Sequence, residues 1–389
     1  MIARIARCGW VIVRSQSRRL NAGRDAMGAS SFRNRNAAAV FRLPKGNHCP
    51  IKPGRNAHDR TLTPSLLTGA AAASAATALT PFAGSPASAA APLATTQAPG
   101  WYRYNVGSYQ ITVATDGKRS FKLPDSFVLN VKKDQVNEAL LAAHMENEMM
   151  TIPYSPIVIN TGSKLIVVDT GVGEANFERS KGVSGQFQSN LKAAGIDRDK
   201  VDTVIISHFH GDHINGLIKP DGSPAYPNAE ILVPAVEWKY FMDDGEMSRQ
   251  TTDRMKEVFA GTRTVFDALK RKVTQYDVGK EVAPGITAVA TYGHTPGHVS
   301  YVVASGGKTL YVQSDVTNHP ALFARNPGWH AFFDQDPQMA EATRRKVYDM
   351  LVADKMMVQG FHYPFPSVAY VEKAGSGYRE IPVAWDSSL

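Results

Sequence analysis

Apolar and polar side chains alternate with period two along Tyr109–Thr115 (YQITVAT), the pattern of a half-buried strand. Pro156–Thr170 (PIVINTGSKLIVVDT) holds two β-rich runs joined at Thr161-Gly162-Ser163, whose turn chemistry predicts a hairpin. Val201–Ser207 (VDTVIIS) is almost wholly apolar, as expected of a strand covered on both faces. Further strands are predicted at Glu230–Val233, Ile286–Thr291, Val299–Ala304 and Thr309–Gln313. Helices are predicted at Gly185–Ala194, Ala235–Met242, Thr252–Arg271 and Pro337–Val352. The last begins well, with Asp336 able to cap free N–H groups and Pro337 in the first turn, where its missing donor costs nothing. Strands grouped in hairpins and then interrupted by helices predict mixed sheets flanked by helices in one α/β domain, residues 92–389, without an internal repeat.

Residues 1–91 read differently. The chain of 389 residues carries a net charge of +8, but this leader alone holds 13 basic and 2 acidic side chains, and the body is left at −3. The basic balance therefore belongs to a segment without periodicity that reads as disordered, and it argues against a nucleic-acid partner. Within the leader, the apolar run 66–79 (LLTGAAAASAATAL) follows Arg60 and precedes the small-residue sites Ala87-Ser88-Ala89 and Ala89-Ala90-Ala91. That order is the pattern of a secretory signal and predicts export from a bacterial cell, to the periplasm or beyond. The run is shorter than the roughly 20 residues of a spanning helix, so no stable membrane anchor is expected. Both cysteines, Cys8 and Cys49, lie in the leader; the body has no thiol for a disulfide, a nucleophile or a metal ligand.

The chemistry concentrates at Ser207-His208-Phe209-His210-Gly211-Asp212-His213, directly after the apolar strand. At an extended strand end His208 and His210 point the same way, and a turn through Gly211 brings Asp212 and His213 to that side. Imidazole and carboxylate donors together suit Zn, Mn, Fe or Co better than Ca or Mg. Crowding four such groups beside a buried strand is hard to accommodate without a cation.

This run resembles the H-x-H-x-D-H signature of the metallo-β-lactamase superfamily. Asp169-Thr170-Gly171, Gly293-His294-Thr295-Pro296-Gly297-His298, Ser314-Asp315 and Gly360-Phe361-His362-Tyr363-Pro364 follow in that family's order, so the likeness spans roughly residues 100–385. The wording NTGSKLIVVDTG, GHTPGHVSYVV and GFHYPFPS is most similar to the methyl parathion hydrolase branch, whose relatives include lactonases. The resemblance implies a four-layer αββα sandwich and two divalent cations, zinc first among Zn, Mn, Co and Fe. It implies that His208, His210 and His298 hold the first cation and Asp212, His213 and His362 the second, with Asp315 shared. His294 and Asp169 are then neighbours that hydrogen-bond to ligands and orient them. Ser314 stands where a glycine is common in the family.

Two cations about 3.5–4 Å apart can share a water and lower its pKa to near 7, so that hydroxide is the expected nucleophile, with Asp212 and Asp315 as candidate proton relays. The expected reaction is hydrolysis of a small neutral substrate: an aryl ester, a lactone or a phosphotriester. Trp238, Tyr240 and Phe241 form an aromatic cluster, and Phe177 and Phe259 fall where the resembled branch has pocket aromatics. These rings suit an apolar pocket without an arginine clamp, and they equally suit the buried face of helix Ala235–Met242. Two rivals share the fold: a β-lactamase proper, which the missing cysteine ligand disfavours, and an iron-dependent sulfur dioxygenase, which a complete second site disfavours. The oligomeric state stays open, a homodimer being compatible with everything above.

Overall fold

The computed structural model describes residues 91, 93–95, 97–269 and 273–389. The apolar run 66–79 and the basic residues before it lie outside the described residues. The chain opens with an antiparallel hairpin, β1 (Trp101–Val106) and β2 (Tyr109–Ala114). β3 (Gly117–Lys122) leaves that sheet and, past helix α1 (Lys133–Ala142), pairs with β4 (Met149–Tyr154) as a separate ribbon. β5 (Ile157–Asn160) and β6 (Leu165–Val168) form the hairpin read from the sequence. After α2 (Ala175–Arg179) and α3 (Phe187–Ala193) comes β7 (Thr203–Ile205), parallel to β6. The short α4 (Gly211–Ile214) leads on to β8 (Glu230–Pro234), α5 (Ala235–Met242), α6 (Asp244–Ser248), α7 (Asp253–Ala268) and β9 (Thr274–Tyr276). The first sheet has the order β1-β2-β5-β6-β7-β8-β9.

The second sheet starts as an antiparallel meander: β10 (Glu281–Ala283), β11 (Ile286–Ala290), β12 (Val299–Ser305) and β13 (Lys308–Val312). Helices α8 (Pro320–Phe323) and α9 (Pro337–Asp354) carry the chain back, so that β14 (Met357–Gln359) runs parallel to β13. β15 (Val368–Ala374) and β16 (Gly377–Pro382) close the sheet antiparallel. Asp336 caps α9 as expected, its carboxylate accepting from the Met339 N–H.

Strand alternation turns these sheets into layers. Ile166 and Val168 of β6 meet Ile205, Ala288, Tyr301 and Val312 in a core between the two sheets. Val167, on the opposite face of β6, packs with Phe187, Phe241, Phe259 and Phe266 from α3, α5 and α7. On the far side of the second sheet, Tyr311 and Val358 pack with Val347, Tyr348 and Leu351 of α9. The result is the αββα sandwich. Each fully buried aliphatic side chain in these layers contributes about 2 kcal/mol of transfer free energy. Among the described residues no helix is long and apolar enough to cross a membrane.

Each sheet contains a parallel pair, β6–β7 and β13–β14, and parallel neighbours end on the same side. The segments leaving those four ends carry Asp169, Ser207–His213, Ser314-Asp315 and Gly360–His362. Hydrogen bonds pin the sheets together there: the Val299 N–H donates to Ser207 O at 3.1 Å, the Tyr301 hydroxyl to Ile206 O at 2.9 Å, and the Tyr276 and Tyr301 hydroxyls lie 2.7 Å apart. The fold thus gathers at one edge what the sequence spreads over nearly 200 residues.

Candidate metal centre

The first group of donors comes from the end of β7 and the β11–β12 loop. His208 Nε2 lies 3.2 Å from His210 Nδ1, which lies 2.9 Å from His294 Nε2. The far nitrogen of His208 hydrogen-bonds to Ser207 Oγ at 3.0 Å, and that of His294 to Asp334 Oδ1 at 2.8 Å. These partners take the ring protons and leave both Nε2 lone pairs facing His210.

His298, the residue after Pro296-Gly297, lies against the same group, its ring centroid 4.9 Å from that of His208 and 5.6 Å from that of His294. Its Nδ1 donates to Thr291 O at 3.0 Å, and its Nε2 accepts the Asp315 backbone N–H at 3.0 Å. Both nitrogens therefore have a hydrogen-bond partner. Burial holds its ring down to about pKa 3 and therefore neutral. His294 Nε2 thus faces His210 Nδ1 while His298 Nε2 faces the Asp315 N–H, so both histidines of the loop border the first group.

The second group brings together Asp212, His213 and His362. His213 donates from Nδ1 to Asp169 Oδ2 at 2.9 Å, which turns its Nε2 toward Asp315 Oδ1 at 3.3 Å and Asp212 Oδ2 at 3.9 Å. His362 donates from Nδ1 to Pro153 O at 2.8 Å, leaving Nε2 3.0 Å from Asp315 Oδ2 and 3.5 Å from Asp212 Oδ2. Asp315 Oδ2 also lies 3.3 Å from His294 Nε2, so this one carboxylate touches both groups. Asp169, in its left-handed backbone turn after β6, accepts the Ser207 N–H and hydroxyl as well as His213, and so fixes the orientation of that ring.

The donor chemistry fits divalent cations. His208 and His210 are held neutral, well below the usual imidazole value, first by burial and then by each other's neighbourhood of imidazoles. Burial also works against charge on His213, yet Asp315, Asp169 and Asp212 outweigh it and raise that ring well above its ordinary value. Asp315 is held well below the carboxylate range: burial opposes its charge, and His362 and His213 overcome that opposition. His213 Nε2, His210 Nε2 and Asp315 Oδ1 are buried without a hydrogen-bond partner. Facing lone pairs repel, and one proton satisfies only one such contact. A cation at each group would answer the facing lone pairs together with His213 Nε2 and Asp315 Oδ1, and five imidazoles with two carboxylates suit Zn, Mn, Co or Fe.

Three acidic residues that the sequence reading passed over brace this arrangement. Glu237 on α5 is fully buried; one oxygen accepts the Phe209 N–H at 3.0 Å, the other the Thr295 hydroxyl at 2.9 Å and the Gly297 N–H at 2.8 Å. It therefore ties the His208/His210 segment to the loop that carries His294. Burial pushes this carboxyl up to about 7 against the pull of those bonds. Gly297 is required here, since a Cβ would stand 2.2 Å from Glu237 N. A lone acid inside the apolar stretch AVEWKYFM was the available signal. Asp334 spans His294 and the buried Arg344, and Asp116 accepts the N–H groups of Val172 and Phe187; neither has a sequence signature.

A cleft of about 330 Å³ opens over the centre, with Asp212 side-chain exposure at 26% against 3% for Asp315. Its aromatic lining is Phe121, Phe127, Tyr154, Phe332 and Phe333, not the rings expected. Phe241 and Phe259 are wholly buried in the layer under the first sheet, and Trp238 packs on Phe209 and Phe266 there. Phe177 stands 40% exposed on α2 and is not part of the lining. An amphipathic helix turns its aromatic stripe to the core, which is what α5 and α7 do. The cleft also contains Arg119 and Arg254, contrary to the expectation of a pocket without arginine.

Residues 152–344 match the family model described as the Metallo-beta-lactamase superfamily. The N-acyl homoserine lactonase AiiA of Bacillus thuringiensis subsp. kurstaki is 24% identical over 241 residues, 57% of this chain and 84% of that protein. The N-acyl homoserine lactonase of Bacillus cereus is 24% identical over 242 residues, 58% and 86% of the two chains. Among solved structures, a hydrolase in the beta lactamase superfamily, AbOPH, matches with TM-score 0.69 and 26% identity, over 75% of this chain and all of that one. AidC, a dizinc quorum-quenching lactonase, matches in fold with TM-score 0.68 and 21% identity, over 74% and 99%.

Proposed function

The chain is a metal-dependent hydrolase that belongs to the metallo-β-lactamase superfamily, and from that premise we propose that it holds two cations and opens small lactones or related esters. One observation carries the reading: five imidazole nitrogens turn inward because their far nitrogens are tied or buried, and two carboxylates lie among them. His208, His210 and His294 would hold one cation, Asp212, His213 and His362 the other, with Asp315 between them. When bound, such cations lower the pKa of water from 15.7 to near 7 and polarise the substrate carbonyl. The lactonase relatives support a cyclic ester as the substrate.

The chain's own residues supply the rest. Asp212 is the carboxylate open to the cleft, so proton transfer to the leaving oxygen falls to it, while the enclosed Asp315 is left to ligation. Tyr154 lines the cleft with its phenol raised above its ordinary value by burial and by the charge of Asp212, so it keeps its proton and can donate to the carbonyl oxygen. The aromatic wall excludes water around the acyl group. The test is a panel of a γ-lactone, an aryl ester, a phosphotriester and a chromogenic β-lactam, run on metal-free protein and after each metal is restored. Two equivalents of metal with lactone opening are expected. A single iron with O₂ consumption, or turnover of the β-lactam alone, would overturn the proposal.

A further inference from the structure

The two arginines of the cleft come from different elements, Arg119 from β3 and Arg254 from α7. Arg254 is half-buried with its guanidinium 5.1 Å from the Phe332 ring, and Arg119 sits 5.3 Å from the Phe121 ring. Stacking on a ring positions a guanidinium plane without using its N–H donors. A second cleft of about 690 Å³ shares Arg119, Tyr154, Val172 and Asn215 with the first, so the two are continuous. It adds Lys118 and Arg179 and has no acidic lining residue. Among the described residues, none of the ion pairs involves Lys118, Arg119, Arg179 or Arg254. The acidic side chains that line the first cleft are Asp212 and Asp315, whose charges two dications would more than offset. Four cations without an ion-pair partner therefore line a cavity that already faces positive charge. Lys118, Arg119 and Arg179 are exposed, and the half-buried Arg254, burial of which disfavours its charge, has only the more distant Asp212 and Asp334 to offset it.

We propose that the substrate carries a carboxylate besides its scissile ester, held by Arg119 and Arg254 beside the centre and drawn in along Lys118 and Arg179. This rests on the hydrolase reading above and replaces the neutral substrate expected from the sequence. Water adds across the acyl C–O bond, its oxygen to the carbonyl carbon and a proton to the leaving oxygen, while the second carboxylate stays unreacted and serves as the handle. Arginine forks match a carboxylate with two parallel N–H···O bonds, which sets how far the handle sits from the scissile bond.

A matched pair of substrates tests this: 4-nitrophenyl butanoate, and mono-4-nitrophenyl succinate, which places a carboxylate at the end of an acyl chain of the same length. The metal-loaded wild type is expected to favour the succinyl ester at least tenfold in kcat/KM, mainly through KM, with the preference fading as salt is raised. Glutarate, followed by calorimetry, should bind more tightly than butanoate. Arg254→Met should bring the preference to within about twofold, and Arg119→Glu should reverse it. Equal use of both esters by the wild type, or a preference that survives both substitutions, would overturn the inference while leaving the hydrolase reading intact. Hydrolysis of neither ester, nor of any lactone, by protein holding two metals would overturn both.

Discussion

Replacing His294 and His298 separately by alanine distinguishes a ligand from a brace. His298 is fully buried, and its truncation strands the Asp315 N–H and the Thr291 carbonyl that it bonds at 3.0 Å each. An unsatisfied buried group costs about 1–3 kcal/mol, and the space left by the ring adds to that. His298→Ala should therefore destabilise the fold by about 3–5 kcal/mol. At roughly 2–4 °C per kcal/mol for a large domain, that lowers the melting temperature by on the order of 10 °C. Its metal content should stay at two, with affinity about 10–100-fold weaker, because the anchor of Asp315 is loosened. His294→Ala behaves in the opposite way. Asp334 keeps Arg344 as a partner, so the fold loses only about 1–2 kcal/mol. The first group, however, loses one of three nitrogens, and metal content after dialysis should fall from two toward one. Elemental analysis together with thermal melts of metal-free protein reads both quantities. A His298→Ala protein that sheds a cation, beside a His294→Ala protein that keeps two, would refute the assignment.

Glu237→Gln substitutes an amide for an oxygen that accepts an N–H or O–H donor; metal affinity should drop at least tenfold with the secondary structure intact, and unchanged chelator competition would show that the tie between the loops is dispensable. Ser314 has φ 52° and a buried, unpartnered hydroxyl, so Ser314→Gly should stabilise the fold by about 1 kcal/mol in urea unfolding; a loss of stability would contradict the strain argument. Burial pushes Asp116 up to about 7 from 3.8, so the stabilisation its protonated form brings is complete below about pH 4 and lost as pH rises through 7. Asp116→Asn removes that slope, worth on the order of 4 kcal/mol at most; unfolding curves at pH 5 and pH 8 should lie closer together for the variant than for wild type, and a wider separation would sink the assignment. Tyr154→Phe should reduce kcat on a lactone about 100-fold at constant metal content, and an effect confined to KM would remove the phenol from the reaction.

Local chemistry made much of this protein legible before any folding was considered. Period-two alternation is a property of neighbouring residues, so most strands around the centre, from β2 through β13, could be placed within a residue or two. The cluster at 208–213 was readable for the same reason: four donors adjacent in the chain need only one strand end and one turn to converge. His294 and His298 lie four residues apart in one loop, and nothing local ranks them. The groups that hold the two rings as they stand, Asp334 and the Asp315 N–H, approach from 40 and 17 residues away. The cleft shows the same division. The aromatic residues of α5 and α7 look alike in a sequence whether they face a ligand or a core, and packing sends them to the core. The wall is built instead from Phe121 and Phe127 against Phe332 and Phe333, about 200 residues apart. Patterning along a chain determines which faces are apolar and which donors travel together; which distant segments meet, and so which lone pair stays free and which cation lines the cleft, is decided only when the sheets close on each other.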